Sequence, residues 1–158
     1  RSSATIFLKR SKRTTIHIEK FRNGFFPYIG NEIKDYFEAM KKDFSPDIIF
    51  THYGRDLHQD HRTISELTWN TFRNHFILEY EIPKYDGDMG SPNVFVHLDD
   101  ATCQMKIRHL FAHFKTQTNR HWFTEDTFLG LMRLRGIESV SAGKYAEAFY
   151  CRKLIFNS

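Results

Sequence analysis

Cysteine is nearly absent from this chain. Cys103 and Cys151 stand far apart and outside any CxxC spacing, which excludes a disulfide framework and a zinc knuckle. They read as two core thiols of a reducing compartment, which points to the cytoplasm. Long apolar runs are missing too: no stretch approaches the roughly 20 residues of a membrane span, so none is expected. Charge of one sign is not in excess. The net charge of +4 and pI near 9.1 are mild, and Lys and Arg are spread out apart from Lys9-Arg10 and Lys12-Arg13, so no nucleic-acid partner is expected. There is no Gly-rich phosphate loop, no Gly-x-Ser-x-Gly elbow and no cysteine nucleophile beside a base, which sets aside three common catalytic designs. Aromatic residues, by contrast, are plentiful at 16%, with 16 Phe. With 41% hydrophobic and 27% charged residues over 158 positions, the chain has ordinary globular composition. It is long enough for one domain (residues 1–158) that buries about 70% of its unfolded surface.

The apolar start, with Ala4, Ile6, Phe7 and Leu8, resembles the tail of an element that begins earlier. Thr14 to Ile18 alternates and is β-branched, which predicts a strand. Asn31 is the expected N-cap of a helix with Ile33, Phe37, Met40 and Phe44 on one face, stopped by Ser45-Pro46. Asp47 to His52 predicts a short buried strand, and residues 60–72 a second helix. Strands are expected over Phe76–Ile82 and Val94–Leu98. Pro83 to Pro92 forms the one long irregular loop between them, and loops of that length are often functional. Asp99 or Asp100 should cap a helix running to about Phe114, and Thr124 another ending at Arg135-Gly136. A short helical or looped turn followed by a strand is expected to close the chain over Tyr145–Phe156. The strand–helix–strand–helix rhythm predicts an α/β fold with a mainly parallel sheet and helices on its faces.

The most informative run is Thr51-His52-Tyr53-Gly54-Arg55-Asp56-Leu57-His58-Gln59-Asp60-His61. A strand that enters a loop carrying two imidazoles and a carboxylate is where α/β folds put metal or acid–base chemistry. If a helix starts there, His58 and His61 share a face, with Asp60 beside them to fix a tautomer. A polar loop with merely exposed histidines has the same spacing, so both readings stay open on spacing alone. His52 ends the strand, where it either approaches the site or bonds a backbone carbonyl. His109 and His113 are four apart but lack a metalloprotease pattern, and their apolar neighbours suggest a core-packed helix. His17, His75, His97 and His121 receive no role.

Ser45 to Tyr53, followed by Asp56-Leu57-His58-Gln59-Asp60-His61-Arg62, resembles the second signature of the PIG-L/LmbE-like deacetylase family. Ile82 to Phe95 and Tyr145-Ala146-Glu147-Ala148-Phe149 are similar to that family as well, chiefly to its bacterial sugar-modifying branch. The likeness runs from about Phe21 to Leu154. It implies a Rossmann-like three-layer α/β/α fold and a zinc-dependent amidase that removes an N-acyl group, acetyl in the expected case, from an amino sugar such as N-acetylglucosamine or from a glycoconjugate. It further implies that His61 is a zinc ligand, that His58 faces the scissile carbonyl, and that Asp60 holds and polarises a histidine.

The family's first signature, a His-Pro-x-Asp-Asp run that supplies two metal ligands and a general base, does not occur here. The first strand–helix unit is therefore expected to be missing, and the chain as given is expected to be inactive and to hold zinc poorly. For substrate contacts, Arg55 and Asp56 are expected at the mouth of the crevice. Tyr85, Asp86, Asp88 and Asn93 on the long loop are placed to bond sugar hydroxyls, with Phe95 to stack on a ring. Glu147 is the last candidate, with a buried structural carboxylate paired to an arginine as the competing reading. A homo-oligomer is compatible with the sequence. The alternative from another class is a non-catalytic carbohydrate- or nucleic-acid-associated binding module, which the basic balance and aromatic content allow.

Overall fold

A computed structural model of the protein describes residues 14–156. The runs Lys9-Arg10 and Lys12-Arg13 and the apolar start lie outside the described residues. Four α-helices and four strands follow one another along the described chain in this order: α1 (Gly30–Asp43), β1 (Ile48–His52), α2 (Gln59–Thr71), β2 (Phe76–Tyr80), β3 (Val94–Leu98), α3 (Asp100–His113), α4 (Glu125–Glu138) and β4 (Tyr145–Tyr150). The strands form one sheet in the order β1-β2-β4-β3. The α/β class expected from the sequence is the class observed.

β1 and β2 are parallel, with Ile48 opposite Phe76 and His52 opposite Tyr80. β4 runs antiparallel to β2, with Glu79 opposite Tyr150, so the sheet is mostly but not wholly parallel. Alternation along Tyr145–Tyr150 specifies two faces but carries no information about direction. Residues 14–22 form no strand, although Thr14 to Ile18 has the right pattern; β-propensity is realised only against a neighbouring strand.

The described residues divide into two compact units. In one, residues 21–82, 86–95 and 148–156, the core is Trp69, Phe72 and Ile77, with Phe37 of α1 and Ile49 of β1 packed on it. α1 begins one residue before the expected cap. Its N-cap is Ile29, with no side-chain bond, because the 3-10 turn Phe26–Tyr28 runs directly into the helix and the Ile33 amide donates to the Ile29 carbonyl at 3.2 Å.

In the other unit, residues 14–20, 83–85 and 96–147, Cys103, Ile107, Phe123, Phe128 and Met132 make the core. Phe111, Phe123 and Phe128 supply much of its volume, with ring centroids 5.0 to 6.4 Å apart. Both expected caps are present: Asp99 accepts from the Thr102 amide at 2.7 Å, and Thr124 from the Thr127 amide at 3.3 Å. α4 passes through Gly136 to Glu138 rather than stopping there. Gly136 serves close packing instead, since a Cβ would overlap the Lys144 carbonyl. Val140, at φ 53°, takes the left-handed position after the helix, and the Ser141 amide returns to the Gly136 carbonyl at 2.8 Å, as a helix C-terminus requires. Cys103 and Cys151 are free thiols. Among the described residues, no helix is long and apolar enough to cross a membrane.

The Asp99 cap has a pH signature. Side-chain and backbone hydrogen bonds from Thr102 hold its carboxyl below the usual carboxylate range. A depressed folded value contributes stability above the ordinary carboxylate pKa and loses it as pH falls through the lowered one. The melting temperature of Asp99→Ala should therefore trail that of the wild type by a constant margin from neutral to weakly acidic pH. The margin should close only below the ordinary carboxylate range, as read by circular dichroism melts across pH.

Candidate active site

β1 ends at Thr51 and His52. Thr51 is buried, and its hydroxyl lies 3.1 Å from that of Thr68 on α2, which ties the strand to the following helix. The chain then turns, the Asp56 amide donating to the Tyr53 carbonyl at 3.0 Å, and enters α2 through His58 as N-cap.

Asp56 is the hub of this turn. It is 2% exposed. Its Oδ1 accepts from the His58 amide at 2.8 Å, and its Oδ2 lies 2.8 Å from Nδ1 of His61. The first contact is a side-chain turn that aspartate forms readily. The second sets the chemistry of the ring. An ionised carboxylate only accepts, so the His61 proton sits on Nδ1 and the Nε2 lone pair is left open. His58 has the opposite arrangement. Its Nδ1 accepts from the Asp60 amide at 3.3 Å, so the neutral ring carries its proton on Nε2. The segment between them is pinned: Arg62 donates to the carbonyls of Asp56 (3.1 Å) and Leu57 (2.6 Å), and the Leu57 amide donates to Asp88 at 2.7 Å.

The His61 ring stacks on two others. His52 lies 4.0 Å away at 4°, and His58 lies 4.4 Å away at 29°. The Tyr80 hydroxyl is 3.3 Å from Nε2 of His52. Burial first, and then the Asp56 charge, push its pKa up to about 12, so the hydroxyl stays neutral at any working pH.

The structure thus brings His58, His61 and Asp56 together and adds His52 and Tyr80, to which the sequence assigned no firm role. Asp60 is placed differently from the expectation. It is buried, and its carboxylate accepts from the amides of Gly24 at 2.5 Å and Phe26 at 3.1 Å; the carboxylate on an imidazole is Asp56. A usable signal was present in the sequence, because an aspartate two positions before a helix-capping residue is a common turn former. Arg55 is exposed beside this turn, and Asp86 is exposed on the long loop. Asn93 is engaged with the backbone of Cys151, accepting from its amide at 2.7 Å and donating to its carbonyl at 3.0 Å. In the other unit, Tyr85 is exposed and stacks on His121 at 5.6 Å. Glu147 there pairs with Lys106, which corrects the arginine expected as its partner. His109 and His113 stack on each other at 5.6 Å along α3.

Among the described residues, no group of three or more His, Cys, Asp and Glu side chains could hold a metal ion. The stacking explains this. A zinc ion lies in the plane of its imidazole at about 2.0–2.1 Å from the nitrogen, and two parallel rings 4.0 Å apart cannot both direct a lone pair at one such point. These residues therefore do not fit a metal site of their own. His61 alone has the form of a single ligand, with its second nitrogen held by a carboxylate.

No protein-family model and no curated protein matches the chain. Solved structures do match. The N,N'-diacetylchitobiose deacetylase from Pyrococcus horikoshii, complexed with its inhibitor MPG, superposes with a TM-score of 0.67 at 18% identity, over 94% of this chain and 61% of that one. A zinc-inhibited form of teicoplanin deacetylase gives 0.60 at 14%, over 89% and 57%. A triple mutant of a deacetylase from the teicoplanin biosynthetic pathway gives 0.69 at 14%, over 94% and 66%. The chain has the fold of these deacetylases. It spans about three fifths of the length of the first of them.

Proposed function

We propose that the protein is a hydrolase that removes an N-acyl group, acetyl in the expected case, from an amino sugar or glycoconjugate. The observation that carries this reading is the pair of oppositely protonated imidazoles at the carboxyl end of β1, His61 set by Asp56 and His58 by the Asp60 amide. The likeness to deacetylase structures supports it. Amide hydrolysis adds water to the carbonyl carbon, breaks the C–N bond, protonates the departing amine and releases the carboxylate. His58, with a proton on Nε2, is suited to donate to the oxygen as it gains charge, and in its protonated form to deliver a proton to the amine. His61, with Nε2 open and Nδ1 anchored, is suited to be one ligand of zinc, the metal we propose. The described residues do not complete that site, and no step here depends on it. Arg55 and Asp86 are proposed to contact the sugar. Two free thiols support a cytoplasmic setting.

Because the chain as given is expected to be inactive, the test is acetate release from N,N'-diacetylchitobiose by the protein restored with the expected first strand–helix unit, and by its His58→Ala variant. We expect turnover that falls by about 10²-fold or more in the variant, with sugar affinity unchanged. Sugar binding without turnover in either protein would instead identify a binding module and end the deacetylase reading.

A further inference from the structure

Behind the histidine turn lies a buried carboxylate to which the proposed chemistry gives no part. Glu79, the penultimate residue of β2, is 4% exposed. Its Oε1 accepts from the Trp69 indole N–H at 2.5 Å, and its Oε2 accepts from the Gly54 amide at 2.7 Å. Two donors from different elements converge on it, one on α2 and one in the turn after β1. Only a carboxylate offers an acceptor on each of two oxygens and no donor to clash with either N–H. Arg152 lies 3.6 Å from Oε1, and its guanidinium sits 4.2 Å above the Trp69 ring, so the buried charge has a partial counter-ion. Position 54 is glycine for a reason visible here. A Cβ would stand 3.3 Å from Glu79 Oε2, 3.5 Å from Ser65 Oγ and 3.6 Å from Arg152 Nη2.

We propose that Glu79 is a positioning residue of the histidine site. It holds the Gly54 amide, and with it the turn from Tyr53 to Asp56 that presents the Asp56 carboxylate to Nδ1 of His61. Register makes this contact available. Glu79 pairs with Thr51 across the parallel strands, so the turn that leaves β1 passes directly beside it. Without Glu79 the turn keeps its internal bond from Asp56 to Tyr53 and the Arg62 clamp, but it loses its tie to the sheet. The consequence is a loosened Asp56–His61 pair rather than a lost fold.

The catalytic consequence rests on the deacetylase reading; the state of the His61 ring does not, and the experiment reads both. Glu79→Gln keeps the shape of the side chain but sets an NH2 against one of the two donors. Gly54→Ala presses on the same carboxylate from the other side and carries the test if Glu79→Gln fails to fold. Trp69→Phe removes only the indole bond. In proton NMR spectra at neutral pH, the His61 Nδ1–H signal should be broadened by solvent exchange in Glu79→Gln and Gly54→Ala. It should stay sharp in Trp69→Phe, even though that variant melts lower. In the same variants of the protein restored with its expected first strand–helix unit, kcat should fall about tenfold with KM within about twofold for the first two, and hold for Trp69→Phe. A sharp signal in both Glu79→Gln and Gly54→Ala overturns the proposal. Equal broadening in Trp69→Phe also overturns it, because that marks general core damage. If the ring signals behave as expected and neither the restored protein nor its variants release acetate, the positioning role stands and the deacetylase reading falls.

Discussion

In the protein restored with its expected first strand–helix unit, Asp56→Asn should lower kcat for the proposed deacetylation by about 10²-fold or more while leaving the melting temperature nearly unchanged. Asparagine has nearly the same shape as aspartate, and its carbonyl can still accept from the His58 amide, which lies 2.8 Å from Oδ1. The other end of the group becomes an NH2, a donor, facing Nδ1 of His61 where Oδ2 now lies 2.8 Å away. To avoid two donors in contact, the ring must move its proton to Nε2. That removes the lone pair available for a metal or a proton. The shape of the site is kept while the tautomer is reversed, so the loss belongs to kcat and not to folding. Steady-state kinetics beside a thermal melt separates the two. Turnover within about threefold of wild type would remove Asp56 from the mechanism.

Asp60→Ala should do the reverse. Its carboxylate is 3% exposed and accepts from two backbone amides, Gly24 and Phe26, that are far away in sequence. Deleting it strands both donors, at about 1–3 kcal/mol each, and removes an acidic group from the first turn of α2, where it favours the helix N-terminus. A total near 3 kcal/mol should lower the melting temperature by about 6–12 °C at this chain length. At temperatures where the variant stays folded, turnover should remain within severalfold of wild type, since no imidazole nitrogen is held by this carboxylate. A loss of turnover as large as that of Asp56→Asn, in folded protein, would return Asp60 to the role of polarising a histidine.

These two aspartates show how far the site was legible. His58, Asp60 and His61 lie within four positions, and that spacing pointed to the end of β1, where the structure gathers the imidazoles. The spacing could not say which carboxylate meets which ring. Asp60 is next to His61 in sequence, yet the helix directs its side chain toward the Gly24 amide, 36 positions away. Asp56 reaches His61 from the preceding turn, five positions away. Glu79 carried no motif at all, since a lone acidic residue at the end of an apolar strand reads as a surface residue until the turn after β1 is seen to lie against it. His52 was noticed as a strand-end histidine, but its place against His61 depends on the path of that same turn.

What the chain encodes locally was therefore readable from residues alone. The caps at Asp99 and Thr124, the stop at Ser45-Pro46, the alternation of strands and helices and the position of the histidine run all follow from interactions within a few residues of one another. Tertiary structure decided the rest: the antiparallel direction of β4, the passage of α4 through Gly136, the pairing of Asp56 with His61 and the tie from Glu79 to Gly54. Each of these depends on which backbone or side chain arrives from a distant segment, and a one-dimensional pattern does not contain that arrival.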